Sequence, residues 1–167
     1  MGQRARITTY LLVIALLAGL AAFPRGPAAG ELTGQVVAVM DGDTVGLLVD
    51  RQEFRIRLYQ IDAPEKRQAF GQRSKQSLSE LVYGRTVRAV TAGEDRYGRT
   101  LATLYVGDVN VNAEQVRRGM AWVYRRYARD PSLFTHEYEA RAARRGLWAD
   151  PDPIPPWEWR HRDKAPQ

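Results

Sequence analysis

The chain has no cysteine and only two histidines, His136 and His161. The first absence excludes disulfide staples, thiol nucleophiles and thiolate–metal chemistry; the second excludes a histidine-rich metal centre. Any catalysis must be built from carboxylates, arginines and hydroxyls, with or without a hard metal ion. Long apolar runs are equally scarce. The marked one, "YLLVIALLAGLAA" from Tyr10 to Ala22, follows Arg4 and Arg6 and precedes Pro24, Gly26, Pro27 and the small residues Ala28 to Gly30. This order reads as an export signal over residues 1–30, with an uncleaved N-terminal anchor as the alternative. The run falls short of the roughly 20 residues of a comfortable membrane span. The remainder is therefore expected to be exported, periplasmic or secreted, with no stable membrane association once the signal is removed.

What remains after the signal is enough for one domain with a real core. The whole chain carries +6; Arg4, Arg6 and Arg25 lie in the first thirty residues and no acid does, so residues 31–167 carry +3. The basic excess is local. Arg117, Arg118, Arg125, Arg126, Arg129, Arg141, Arg144 and Arg145 face only Asp130, Glu137 and Glu139 between residues 117 and 145. Such a stretch suits a polyanionic partner, although solvated helix faces would read the same way.

The segments from residue 31 onward begin as strands. "LTGQVVAVM" (Leu32 to Met40) and "TVGLLV" (Thr44 to Val49) flank Asp41-Gly42, a hairpin signal. After the polar corner Asp50-Arg51-Gln52, "EFRIRLYQI" (Glu53 to Ile61) places Phe54, Ile56 and Leu58 on one face and Arg55, Arg57 and Tyr59 on the other. Pro64 ends this meander. Residues 68–82 turn helical, with Phe70, Leu78, Leu81 and Val82 as core contacts and Gly84 as C-cap. Arg85 to Ala92 and Thr100 to Val106 are a fourth and fifth strand around the loop "GEDRYGR". Asn112 is the expected N-cap of a short helix. Asp130-Pro131 opens a last helix to about Arg145, with Phe134, Tyr138 and Ala142 as its apolar stripe. The end, residues 151–167, is rich in proline and tryptophan with no room for a regular element, Trp157 and Trp159 pinning part of it to the domain.

Three strands, a helix, two strands and further helices fit an α+β, mainly β fold: a five-stranded OB-type Greek-key barrel with about three helices, over residues 31–150. Another α+β roll would fit the same order.

Acid is in surplus just after the first corner. A turn needs Asp41-Gly42 but not Asp43 and Thr44 as well. An EF-hand loop fails, because Val45 takes its third ligand position and the flanks are strands. In a meander the second and third strands pair, so Asp43 can meet Asp62 and Glu65 of "DAPE" at one end of the barrel. Like charges that close call for a cation between them. Taken alone, "DAPE" is equally a plain strand-to-helix turn. Arg57, on the polar face five residues before Asp62, adds the group best shaped to grip a phosphate, as does Arg99 at the head of the fifth strand. Arg96 and Tyr97 offer backbone charge and base stacking. Ser74, Ser77 and Ser79 share a helix with no histidine near in sequence, so they read as surface polar residues.

"DGDTV", "RLYQIDAPE" and "DRYGRTLATLYV", in this order and spacing, together resemble the staphylococcal nuclease (thermonuclease) family. "VNAEQVRRGMAWVY" and "ARRGLWADPDPIPPWEW" resemble its exported bacterial members, so the likeness runs from about Leu32 to Trp159. It implies an OB-fold nuclease cleaving DNA and RNA with Ca²⁺. Asp43 and Asp62 match the calcium-binding aspartates, Ala63 the position that supplies a backbone carbonyl, and Thr44 a neighbour bonding within the metal site. Glu65 matches the glutamate assigned as general base, or as the residue positioning the attacking water; Arg57 and Arg99 match the arginines on the scissile phosphate. Arg96 stands where lysine is familiar. Tyr97 matches a nucleotide-pocket tyrosine, while "YRRY" leaves the register between Tyr124 and Tyr127 open. Single-stranded or unstacked nucleic acid is the expected substrate, and nothing demands more than a monomer. The rival is an OB module that binds nucleic acid without cleaving it; the complete set Asp43, Arg57, Asp62, Glu65 and Arg99 argues against it.

Overall fold

The computed structural model describes residues 30–162. The export signal expected over residues 1–30 thus lies, but for Gly30, outside the described residues. Their elements run β1 (Glu31–Val39), β2 (Thr44–Val49), β3 (Gln52–Leu58), β4 (Ile61–Asp62), α1 (Gly71–Val82), β5 (Thr86–Glu94), β6 (Thr100–Val106), β7 (Val109–Asn110), α2 (Val111–Arg117), β8 (Trp122–Val123), α3 (Pro131–Ala142), a 3₁₀ turn (Gly146–Ala149) and α4 (Pro156–Arg162). Among them no helix is long and apolar enough to cross a membrane.

The sheet order is β3-β2-β1-β5-β6-β7, and β3 also pairs with β6 in parallel, Arg57 opposite Leu101. That last pairing closes five strands into a barrel, the OB-type architecture the strand count predicts. Period-two alternation sends Val36, Val45, Leu47, Ile56, Leu58, Ala102 and Leu104 inward, where Leu78, Val82, Val111 and Val116 of the helices cover them. Arg57 consequently points out of the barrel, beside β4, which is held antiparallel to β8 through Asp62 opposite Trp122.

The Asp41-Gly42 corner joins β1 to β2 without a positive φ at Gly42. Its glycine is required by crowding, since an added Cβ would overlap Ser74 Oγ and lie 2.7 Å from the Ala63 Cβ. Asn110, not Asn112, caps α2, accepting from the Ala113 N–H at 3.1 Å. Asn112 is buried and ties α2 to the barrel: its Oδ1 accepts from Leu104 N–H and its Nδ2 donates to the carbonyls of Tyr59 and Ala102. The buried residues of α3 are Leu133, Glu137 and Ala140, so its inner face is one position away from the expected stripe; Tyr138 and Ala142 are exposed. A buried glutamate disguised that face: Glu137 accepts from the Val123 N–H at 3.0 Å and pairs with Arg125 at 2.8 Å. Ser74 and Ser77 are buried rather than superficial, bonding to the Met120 carbonyl at 2.6 Å and to Gln115 Oε1 at 2.7 Å. The tail does contain regular structure, namely α4.

Part of the arginine excess is paired within the chain. Arg117 and Arg118 both pair with Glu114, and Arg141 lies over Trp148 with its guanidinium carbon 3.9 Å from the ring centroid.

Candidate active site

Three short pieces of backbone meet at one rim of the barrel. The corner Met40–Asp43 closes with the Met40 N–H on the Thr44 carbonyl at 2.9 Å. Its underside rests on Gln115, whose Nε2 donates to the Gly42 carbonyl at 2.8 Å and to the Ser74 carbonyl at 3.2 Å. The Leu58 N–H bonds the Asp43 carbonyl at 2.8 Å, extending the β2–β3 ladder to this residue. Thr44 pairs with Arg57 across that ladder, which sets Asp43 beside the end of β3.

There Asp43, Arg57 and Asp62 form one buried cluster. Arg57 Nη1 lies 2.6 Å from Asp43 Oδ2, and Nη2 lies 2.7 Å from Asp62 Oδ1. Asp43 Oδ2 also accepts from the Ala63 N–H at 2.9 Å, and Oδ1 from the Thr44 hydroxyl at 2.9 Å. Burial opposes ionisation of Asp43, yet the Arg57 charge and the Ala63 N–H hold its carboxyl below the usual range. Burial also pushes Asp62 up; hydrogen bonds from Arg160 oppose this and the Asp43 charge adds to it. Asp41 is pushed up to about 6 by burial and the Asp43 charge. Arg57 is buried too, but its two acids keep it charged.

Glu65 sits on the turn between β4 and α1. Its N–H donates to Gln68 Oε1 at 3.0 Å, and its Oε1 accepts from Arg160 Nη1 at 2.7 Å. Arg160 also grips Asp62, Nη2 to Oδ2 at 2.8 Å and Nη1 to Oδ1 at 3.2 Å. This arginine on α4 was not singled out from the sequence. Signals for its helix were present: Pro156 at the start, Glu158 in the first turn and Arg160, His161 and Arg162 in the last follow the usual polarity of helix ends.

Hydrogen bonds and ion pairs join Asp43, Thr44, Arg57, Asp62, Ala63 and, through Arg160, Glu65, while the ion pair of Arg99 is with Asp95. Arg99 is held by Asp95, Nη2 to Oδ2 at 2.6 Å, two residues before Leu101, the cross-strand neighbour of Arg57. Arg96 and Arg99 flank the Tyr97 ring at 4.8 and 5.5 Å from its centroid, and Tyr97 is 67% exposed. Tyr124 and Tyr127 pack edge to face at 4.9 Å, on the far side of β8 from these loops in sequence. Tyr124 is covered by Trp157, stacked at 5.5 Å with planes 3° apart, whereas Tyr127 remains 43% exposed.

The donors suit a hard divalent cation. They are oxygens throughout, and the acids Asp41, Asp43, Asp62 and Glu65 outnumber the guanidiniums of Arg57 and Arg160. Burial is the larger cause of the upward shifts at Asp41 and Asp62, and the Asp43 charge adds to both. Among the described residues no three such side chains converge to cage a metal unaided. Asp43, Asp62 and the Ala63 carbonyl would have to be completed by water or substrate.

A closed OB-type barrel bearing buried acids bridged by arginine at its rim defines a protein class suited to phosphate chemistry. A family model described as staphylococcal nuclease homologue matches residues 55–150. Protein ParB of Escherichia coli is 46% identical over 163 residues, covering 91% of this chain and 92% of that one. An uncharacterized endonuclease of Escherichia coli O157:H7 is 50% identical over 133 residues, covering 79% and 87%. A micrococcal nuclease of Shigella flexneri is 44% identical over 149 residues, covering 83% and 86%. The chain belongs to the staphylococcal nuclease family, a family of generally metal-dependent nucleases.

Proposed function

We propose that the protein is a calcium-dependent nuclease that hydrolyses phosphodiester bonds of DNA and RNA, preferring single-stranded or unstacked substrate. The observation that carries this reading is the Arg57 guanidinium set between Asp43 and Asp62, with Glu65 joined to the same Asp62 through Arg160. Asp43, Asp62 and the Ala63 carbonyl would hold Ca²⁺, with Thr44 fixing the rotamer of Asp43. The ion, when bound, supplies fixed positive charge against the charge that builds on the phosphate.

The protein's own groups do the rest. Glu65 takes the proton of the attacking water. Arg57 and Arg99 turn from Asp43, Asp62 and Asp95 to the phosphate oxygens, where guanidinium forks fit without giving up protons. Tyr97 offers an open ring for stacking a base, with Arg96 and Arg99 supplying charge beside it; Tyr127 is a second exposed ring. Arg4, Arg6 and the apolar run from Tyr10 to Ala22 support export to the periplasm or beyond; the protein acts there as a monomer, since no residue of the proposed chemistry calls for a second copy.

The purified protein should degrade heat-denatured DNA with Ca²⁺ and stop when a chelator is added. Glu65→Gln should fold and bind DNA yet cleave about 10²–10⁴-fold more slowly, the usual contribution of general acid–base catalysis. Wild-type protein that binds DNA but cleaves with no divalent ion would show a binding module instead.

A further inference from the structure

Arg160 reaches the centre from outside the span that the family model matches. Its guanidinium joins two acids with different tasks, Asp62 through both Nη atoms and Glu65 through Nη1. A planar fork satisfies that geometry; a lysine ammonium has no such shape. The helix carrying it is built into the domain. Pro156 is buried, Trp157 stacks on Tyr124 and meets Trp122 edge-on at 5.7 Å, and Gln68 Nε2 donates to the Ile154 carbonyl at 2.6 Å. The Oε1 of that same Gln68 takes the Glu65 N–H. Glu65 is thus tied to the C-terminal segment twice, once by backbone through Gln68 and once by side chain through Arg160.

The Glu65 side chain is 40% exposed, and Arg160 is the ion-pair partner that restrains it among the described residues. An exposed glutamate without such a partner spreads over several rotamers. We propose that Arg160 is a positioning residue of the nuclease reaction: it holds Glu65 in one orientation toward the centre and shares the charge of Asp62, so that α4 completes the active site. The inference rests on the nuclease reading given above. The contrary arrangement is a strap, in which Arg160 blocks Asp62 and Glu65 until α4 withdraws. The anchors at Pro156, Trp157 and Gln68 favour the built-in part over the strap.

The two arrangements part on measurement. Turnover and KM on heat-denatured DNA are compared for wild type, R160A and R160K, with the melting midpoint of each and a calorimetric titration of Ca²⁺ into each protein without DNA. In R160A, turnover should fall about 10–100-fold, the usual effect of losing an outer-shell partner, and KM should change by no more than about threefold. Ca²⁺ should bind R160A no more weakly than wild type, because Asp62 loses a positive neighbour. R160K, which keeps charge without the fork, should recover part of the turnover at an unchanged midpoint. Equal or higher turnover in R160A overturns the role and points to the strap. Loss of Ca²⁺ binding and of the melting midpoint together with turnover overturns it in favour of a purely structural contact. Should R160A fail to fold, R160K decides alone, and wild-type turnover there overturns the role. Wild-type protein that neither binds Ca²⁺ nor cleaves overturns the nuclease reading itself, and this role with it.

Discussion

Gly42 shows how one residue can be required for a reason unlike the one its type suggests. The corner needs no positive φ there; it needs space against Ser74 and Ala63. Gly42→Ala should therefore cost about 1–3 kcal/mol through overpacking, read as a lower urea midpoint, and cleavage should fall with it because Asp43 is the next residue. An alanine variant of wild-type stability would dismiss that account. Asp95 supports a prediction of another kind. Burial works against its charge, but N–H groups of Arg99 and Tyr97 and the Arg99 guanidinium carry its carboxyl below the usual range. A carboxyl depressed in the folded state stabilises fully above its unfolded value of about 3.9, and that help disappears as pH falls through the folded value. The gap in urea midpoint between wild type and Asp95→Asn should be open at about pH 6 and close progressively in acid. A gap that persists in strong acid would assign Asp95 a role independent of its charge. Residues such as Asp43, Asp62 and Glu65 are legible in sequence because short motifs carry them. Arg160 is not, because its meaning depends on where seven residues of helix come to lie.

At the level of elements, hairpins are more legible than helix faces. The β2–β3 corner was readable from polarity alone, and Val49 does pair with Gln52 across the two-residue turn Asp50-Arg51. The conformation of that turn was not readable, since both residues sit at positive φ, 46° and 68°, without a glycine. Left-handed backbone costs an ordinary residue about 1–2 kcal/mol, and Asn-Gly is the pair this turn type favours. D50N/R51G should raise stability by about 0.5–1 kcal/mol, less than the full strain because glycine also loosens the unfolded chain. Denaturant unfolding at equilibrium measures it, and a drop in stability would show that Asp50 and Arg51 are held by contacts worth more than their strain. The α3 face was misread for a physical reason. Periodicity assigns charge to the outside, whereas Glu137 is buried on an N–H and two arginines. Likewise Asn112 looks like a cap and works as a clamp between strands.

Over the whole molecule, barrel closure was foreseeable from strand count and the docking of the tail from Trp157, while the residues that receive Trp157 were not. Trp122, Trp148 and Trp157 form a second cluster beside the barrel, with Trp122 and Trp148 at 4.4 Å. Trp157 links that cluster to Tyr124. Trp157→Ala should cost about 1–3 kcal/mol, below the range for a fully buried tryptophan, and should loosen α4 before the barrel, visible as faster amide exchange over residues 156–162. Uniform loosening of the entire chain would mean that the cluster and barrel unfold as one unit.

The contact between Arg160 and Asp62 spans 98 residues. Asp43, Arg57, Asp62 and Glu65 lie among and just after the first three strands, and β5 and β6 follow them. All five barrel strands precede α2, so of the two guanidiniums on Asp62 Arg57 comes from the barrel itself and Arg160 from the far end of the chain. Completion of this centre therefore depends on the two ends of the domain being docked together, since the guanidinium that joins Asp62 to Glu65 is carried by the last helix.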